Sequence, residues 1–411
     1  MSETTRVNPS AVPAAVVVGA SVNGLGVVRS LGQAGARVIV ADTHGWQPAM
    51  HSRYAERSHR VGALEGATFV HDLMTIGQSL PEPSVLFMTA DWTVRTVSDH
   101  RDRVAERYRV RLPSRNCLNL LLSKVLFQQF AETHGLPVPR AVVVRAESDL
   151  GALAHLRFPA VVKPSVSDLI EHYKVPRATR VPSREEAERV CRAVFRVARD
   201  DLIVQEWIEG ADTDLYFCLQ YRGAGGAPVA SFTGRKLRSW PPRAGSTATC
   251  TAAAKDVATE LGSMTTRIFD RLGVEGMCGM EFKRDARSRQ FVMVEPTIGR
   301  TDWQEEIATF YGVNIPFAAY CHELGLPFSE RPVDHPVVWR ESLGYWRSRW
   351  ATRSVHDPMP RGTVVKSTWW RPDDPVPGGF FCYELLRKVS SRALSTVGLT
   401  TGHPLVVSKR T

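Results

Sequence analysis

Apolar and polar positions along the chain follow two periods, and the switches between them mark the elements. Residues 14–19 (AAVVVG) form a continuous apolar run, as expected of a parallel strand buried on both faces. Gly24, Gly26, Val27, Val28 and Leu31 then open an amphipathic helix, and residues 37–42 (RVIVAD) read as a second strand. A third, residues 85–89 (VLFMT), has Asp91 just beyond its carboxyl end, where open α/β sheets place ligands. Residues 108–113 close this first unit. Leu118, Leu121, Leu122, Val125, Leu126 and Phe130 recur at helical spacing around Lys124 until Gly135, Pro137 and Pro139 stop the helix.

Further on, a strand near 141–145 and a helix precede residues 158–164 (FPAVVKP), a short apolar strand ending at Lys163. That lysine either snorkels to solvent or points into a cleft toward an anion, and in isolation snorkelling is the stronger reading. Residues 185–200 predict an amphipathic helix, and 202–208 (LIVQEWI) a strand that halts at Glu209 and Gly210. Antiparallel strands follow over 212–221 and 227–232, joined at 223–226. The basic stretch 234–245 (GRKLRSWPPRAG) is too polar and proline-interrupted for a core strand and reads as a long functional loop. A helix over 253–272 leads to a hairpin, and 302–324 is helical again. From about residue 330, mixed prolines, tryptophans and arginines indicate a small appended subdomain or a wrap over the preceding core.

The hairpin, 276–300 (GMCGMEFKRDARSRQFVMVEPTIGR), carries the candidate chemistry. Two alternating runs flank a charged connection, and each holds one carboxylate among apolar residues. If Lys283 pairs near Phe291 and no bulge intervenes, Glu281 and Glu295 share a face as diagonal neighbours, roughly 7–8 Å apart at the backbone. Two like charges so placed call for a cation between them, and magnesium takes one or two carboxylates plus substrate phosphates. The hairpin reads equally well as half of a magnesium–nucleotide site or as two glutamates paired with nearby arginines.

At 411 residues, 43% hydrophobic and 23% charged, the chain has room for two or three ordinary globular domains. Its 52 basic against 42 acidic residues give a net charge of +10, which favours anionic ligands such as nucleotides and would tolerate nucleic acid. The seven scattered cysteines contain no CxxC pair and suggest neither a disulfide framework nor a zinc site. Without an apolar leader or spanning run, the expectation is a cytoplasmic protein with no membrane partner.

Taken in order, these parts resemble the ATP-grasp superfamily of carboxylate–amine (or carboxylate–thiol) ligases over residues 14–325. The resemblance implies an α/β (α+β) architecture: a Rossmann-like domain over 1–112, an ATP-grasp small subdomain over 113–200, a large subdomain with antiparallel sheets over 201–329, and a C-terminal extension over 330–411. By position, Lys124 and Lys163 match the lysines that hold the nucleotide phosphates of ATP. Glu206, Trp207 and Ile208 match the hinge whose backbone receives adenine, and Asp212 the acidic residue on the ribose, with Glu209 the next candidate. Glu281 and Glu295 match the ligands of Mg2+. Arg300 matches an arginine that steadies the acyl phosphate, and Arg235, Lys236 and Arg238 are similar to substrate-side cations.

Two departures stand out: Ser165, Val166, Ser167 and Asp168 replace the usual glycine-rich phosphate cover, with Lys174 or the serine hydroxyls as substitutes, and Thr297 stands where many relatives have asparagine. The implied reaction phosphorylates a small-molecule carboxylate and couples it to an amine, releasing ADP and phosphate. Substrate contacts are expected at residues 21–23 and 90–92 and on the basic stretch. A homodimer is compatible by analogy, with no sequence signal behind it.

Two other classes compete. Gly19, Gly24, Gly26 and Asp42 suggest a nicotinamide-dependent oxidoreductase, although their spacing is not GxGxxG. Trp339, Trp346, Trp350, Trp369 and Trp370 beside arginines suggest base stacking, with packing of that region onto the core the stronger reading.

Overall fold

Three sheets organise the chain. The computed structural model describes residues 12–165, 175–198, 200–353, 359, 362–383 and 386; Val166, Ser167, Asp168, Lys174 and Arg361 lie outside them. The first sheet is parallel and five-stranded, in the order β3-β2-β1-β4-β5: β1 (Ala15–Val18), β2 (Val38–Asp42), β3 (Arg57–Arg60), β4 (Ser84–Met88) and β5 (Tyr108–Arg109). Val16 and Val18 enter one core and Ala15 and Val17 another, which is why β1 shows no alternation in its sequence. β3 (RSHR) escaped the hydrophobic reading because it is a charged, exposed edge strand.

The second sheet is small: β6 (Ala141–Val144), β7 (Ala160–Pro164), β8 (Thr179–Val181) and β9 (Leu202–Glu206), ordered β6-β9-β7-β8 with antiparallel pairing throughout. Helix Arg184–Phe195 covers one face and completes a separate core with Val144, Ala160, Val162, Leu202 and Val204. The other face, carrying Val161, Lys163, Gln205 and Trp207, looks onto a cleft.

The third sheet has seven strands, ordered β14-β13-β10-β11-β12-β15-β16: β10 (Leu215–Arg222), β11 (Pro228–Trp240), β12 (Ser246–Ala252), β13 (Gly276–Arg284), β14 (Phe291–Ile298), β15 (Val337–Arg340) and β16 (Val364–Ser367). It shares both large cores with the first sheet, so these two pack as one body. The last two strands come from the region read as an extension, which here continues the sheet. Trp339 on β15 is wholly buried, whereas Trp346, Trp350 and Trp370 are exposed.

Two expectations from the pattern fail locally. The stretch read as a basic loop is mostly β11, a strand between β10 and β12, and leaves the sheet only at the cis Trp240–Pro241 bond. Its charged side chains are tolerated because they find partners: Arg235 lies over the Tyr216 ring and donates to Thr213 O at 2.6 Å, and Lys236 pairs with Glu281. Gly234 sits against the Phe217 ring, so close that a Cβ there would clash. The helix drawn around Lys124 is two helices, Arg115–Leu122 and Lys124–Thr133, broken at Ser123, whose hydroxyl accepts the Leu126 N–H at 3.3 Å and caps the second. Among the described residues no helix is long and apolar enough to cross a membrane.

Candidate active site

A cleft separates the small sheet from the seven-stranded sheet, and it gathers Lys124, Lys163, Glu206, Trp207, Ile208, Lys236, Glu281 and Glu295. Strand alternation explains most of this. On β7 and β9 the residues between core positions face the cleft, so Lys163 points inward, its Nζ donating to Gln205 Oε1 at 2.9 Å, and does not snorkel. Burial pushes the Lys163 ammonium down to about 8, the neighbouring Lys124 adding to the shift and Glu295 opposing it. Lys124 opens its helix, where a cation runs against the helix dipole. The helix start is tied to the end of β7, since Lys124 N donates to Ser165 O at 2.9 Å.

The two glutamates are placed by a register different from the one expected. Arg284 pairs with Phe291 and Lys283 with Val292, and a bulge between Glu281 and Phe282 follows, after which Glu281 stands directly opposite Glu295. Phe291 and Met293 face the core, so strict alternation would have buried Glu295 beside them. The extra residue at the bulge, Val294, turns Glu295 onto the cleft face with Glu281. The carboxylates are therefore cross-strand partners rather than diagonal neighbours.

Cations offset the repulsion within that close pair. Lys236 Nζ pairs with Glu281, Lys124 Nζ lies 3.1 Å from Glu295 Oε1, and Arg177 Nη2 lies 3.1 Å from Glu295 Oε2. Burial acts to raise the Glu295 pKa, but Arg177, Lys124 and Lys163 overcome it and hold the carboxyl well below its ordinary range. Arg177 escaped the sequence reading because nothing in VPRAT suggests a site; it precedes β8 and reaches the cleft only through the fold of the small sheet.

Several predicted residues lie elsewhere. Arg235 faces away from the cleft on β11, as its stacking on Tyr216 requires, and a bulge at Leu237 puts Arg238 on that same outer side, where its Nη1 lies 3.3 Å from Thr352 Oγ1. Only Lys236 of the three cations lines the cleft. Asp212 anchors the turn after β11, accepting the Ser239 and Arg243 N–H groups at 2.9 and 2.7 Å, and does not line the cleft. Arg300 pairs with Asp91 at the carboxyl end of the first sheet. The turn after it, Asp302, Trp303 and Gln304, supplies a cleft wall that the sequence reading had assigned to a helix.

At the hinge, the Glu206 and Trp207 N–H groups donate to Arg140 O (2.9 Å) and Pro159 O (3.0 Å), whereas no hydrogen bond among the described residues engages the Ile208 N–H. Trp207 is flanked by Arg180 and Lys283, 5.3 and 5.6 Å from its ring centre. The features that suggested a nicotinamide cofactor have another use: the Asp42 carboxylate accepts the Ala20 and His44 N–H groups at 2.7 and 2.9 Å, closing the turn after β1.

Magnesium fits the paired glutamates by donor chemistry. They present hard oxygens on one face, and among the described residues no group of three His, Cys, Asp or Glu side chains is poised for a metal, so ligand oxygens would have to complete the shell.

No protein-family model matches the sequence. It is similar to a D-aspartate ligase of Enterococcus faecium (strain Aus0004), 21% identical over 215 residues, which is 49% of this chain; the chain thus spans about half (51%) of that relative's length. Solved structures resemble it over more of its length. An N5-carboxyaminoimidazole synthetase from Staphylococcus aureus complexed with ADP matches with a TM-score of 0.62 and 13% identity, over 82% of this chain and 84% of that one. A biotin carboxylase ATP-type complex from Campylobacter jejuni matches with a TM-score of 0.62 and 13% identity, over 79% and 74%. At these identities the likeness establishes the fold.

Proposed function

We propose, from the ATP-grasp fold that the chain shares with these enzymes, that it is an ATP-dependent carboxylate–amine ligase. The observation that carries the reading is the convergence of Lys124, Lys163, Lys236 and Arg177 on a directly opposed glutamate pair, in one cleft beside the 206–208 hinge. Phosphoryl transfer asks a protein for positioning and charge neutralisation rather than a nucleophile, and this cleft offers both.

In this reading Lys124 and Lys163 hold the phosphates, the Ile208 N–H and the Trp207 ring receive the base, and Lys236 with Arg177 offsets charge on the transferred group. Magnesium held by Glu281 and Glu295 would neutralise the phosphates. The substrate carboxylate takes the γ-phosphoryl group to become an acyl phosphate, and an amine displaces phosphate to give an amide. For Arg300, which pairs with Asp91 beside the turn that walls the cleft, a role near the acyl phosphate is carried by the family resemblance alone.

Mg-ATP should raise the melting temperature, and NAD(P)H should not. A mixture of amino acids and small acids, D-aspartate included on the strength of the relative, should stimulate ADP release. Glu281→Gln and Glu295→Gln should each abolish that release and leave the circular dichroism spectrum unchanged. Wild-type rates in either variant would remove the pair from the site.

A further inference from the structure

Four carboxylates line the cleft: Glu206, Glu281, Glu295 and Asp302. Three are matched by cations. Glu206 pairs with Arg157 at 2.8 Å, Glu281 with Lys236, and Glu295 with Lys124 and Arg177. Asp302 is different. Its Oδ1 accepts the Trp303 N–H at 2.8 Å and its Oδ2 accepts Gln304 Nε2 at 3.2 Å, both neutral donors. Among the described residues no lysine, arginine or histidine forms an ion pair with it; Arg300, two residues away, pairs with Asp91 and acts on Asp302 only at longer range. Six basic side chains also line this cleft (Lys124, Lys163, Arg177, Lys236, Arg243 and Lys283), so a carboxylate that none of them contacts as an ion pair is an exception with chemical meaning.

The surrounding wall holds Asp302 firmly. Glu305 Oε2 accepts the Asp302 N–H at 2.9 Å and Glu305 N donates to Asp302 O at 3.1 Å, closing the turn from both sides. Trp303 Nε1 donates to Thr247 O at 3.1 Å, fastening the turn to β12. On the same wall the Thr247 hydroxyl is buried and has no partner among the described residues, which leaves a polar atom available to a ligand. A rigidly held carboxylate contacted only by neutral donors complements a cation, and the amine substrate of a carboxylate–amine ligase arrives as one.

We propose that Asp302 is the docking point and proton acceptor for the amine substrate, which binds there as a primary ammonium ion. This rests on the ligase reading above. The Asp302 carboxylate takes one proton from the ammonium group, freeing the nitrogen lone pair. The nitrogen attacks the acyl carbon, the C–N bond forms, and the bond from that carbon to the phosphate oxygen breaks with its electron pair leaving on phosphate. The second proton lost by the nitrogen goes to the departing phosphate.

The test compares wild type, Asp302→Asn and Asp302→Glu for ADP release from Mg-ATP in a mixture of the twenty amino acids and D-aspartate, supplemented in turn with ammonium chloride, methylamine or hydroxylamine. Asparagine preserves the shape and the contact from the Trp303 N–H. Amine-stimulated release should fall about a hundredfold in Asp302→Asn, the scale of losing general-base help, and recover in part in Asp302→Glu. Hydroxylamine, which is neutral at pH 7 and needs no base, should stimulate Asp302→Asn nearly as well as wild type, and Mg-ADP affinity should be unchanged. Equal loss with hydroxylamine and the other amines, an undiminished amine response, or no amine response in a wild-type protein that binds Mg-ATP would each overturn the assignment. Failure of wild type to bind Mg-ATP would instead overturn the ligase reading beneath it.

Discussion

Arg177 shows how far single residues can be judged from the chain. Lys124, Lys163 and the two glutamates were legible because a charge interrupts an apolar run, and the burial cost of that charge demands a reason. Arg177 interrupts nothing, yet in the fold it is one of two cations on Glu295. Under the ligase reading, its place just after the segment that lacks the glycine-rich cover would make it a source of positive charge for the phosphates. Its side chain is 55% exposed, so Arg177→Ala should fold normally and weaken Mg-ATP binding by roughly tenfold or more, as losing a charge-assisted contact implies. Calorimetry with Mg-ATP and adenosine checks this: adenosine affinity should hold, and an unaltered Mg-ATP affinity would exclude Arg177 from the phosphates. Arg235 and Arg238 carry the opposite lesson, since residue type alone cannot say on which face of a strand a cation lies.

At the scale of elements, bulges decided what alternation could not. One at Val294 turns Glu295 out of the core, and one at Leu237 turns Arg238 away from the cleft. Neither leaves a mark in the hydrophobic pattern, because a single inserted residue shifts a period-2 register without changing composition. The turn 302–305 lies within the stretch read as helix, and it carries a buried acid, Glu305, next to the cleft-lining residues Asp302, Trp303 and Gln304. Burial pushes the Glu305 carboxyl up to about 8, and its Oε1 has no partner among the described residues. A carboxyl whose folded pKa lies above its unfolded value favours the fold at low pH, and that advantage is lost as pH rises from about 4.5 toward 8. Glu305→Gln should therefore gain stability relative to wild type at pH 8 compared with pH 5 in urea titrations. The same difference between the two proteins at both pH values would show that Glu305 keeps an ordinary pKa.

For the molecule as a whole, the C-terminal region is part of the body that presents the cleft. Arg29 and Asp374 form an ion pair at 2.9 Å with both side chains fully buried, and Asp374 also accepts Ser52 Oγ at 2.8 Å and Arg53 N at 2.9 Å. Arg371 reaches Glu306 at 3.0 Å, immediately after the turn that carries Asp302. Removing one partner of a buried pair strands the other, so Asp374→Ala should cost about 3–5 kcal/mol in urea unfolding. A loss under about 1 kcal/mol, the level of a surface pair, would mean that this region is only loosely attached.

The order of strands and helices, the cationic character of the ligand site and the pairing of two acids across a hairpin were written locally, in runs whose periodicity and interrupted apolarity reflect the burial of neighbouring residues. Which cations meet those acids, which side of a strand each side chain occupies, and that Asp302 has no ion-pair partner among the described residues were settled by contacts between segments far apart in the chain. Such contacts depend on register, bulges and the packing of one sheet against another, and these are properties of the assembled sheets that no single stretch encodes.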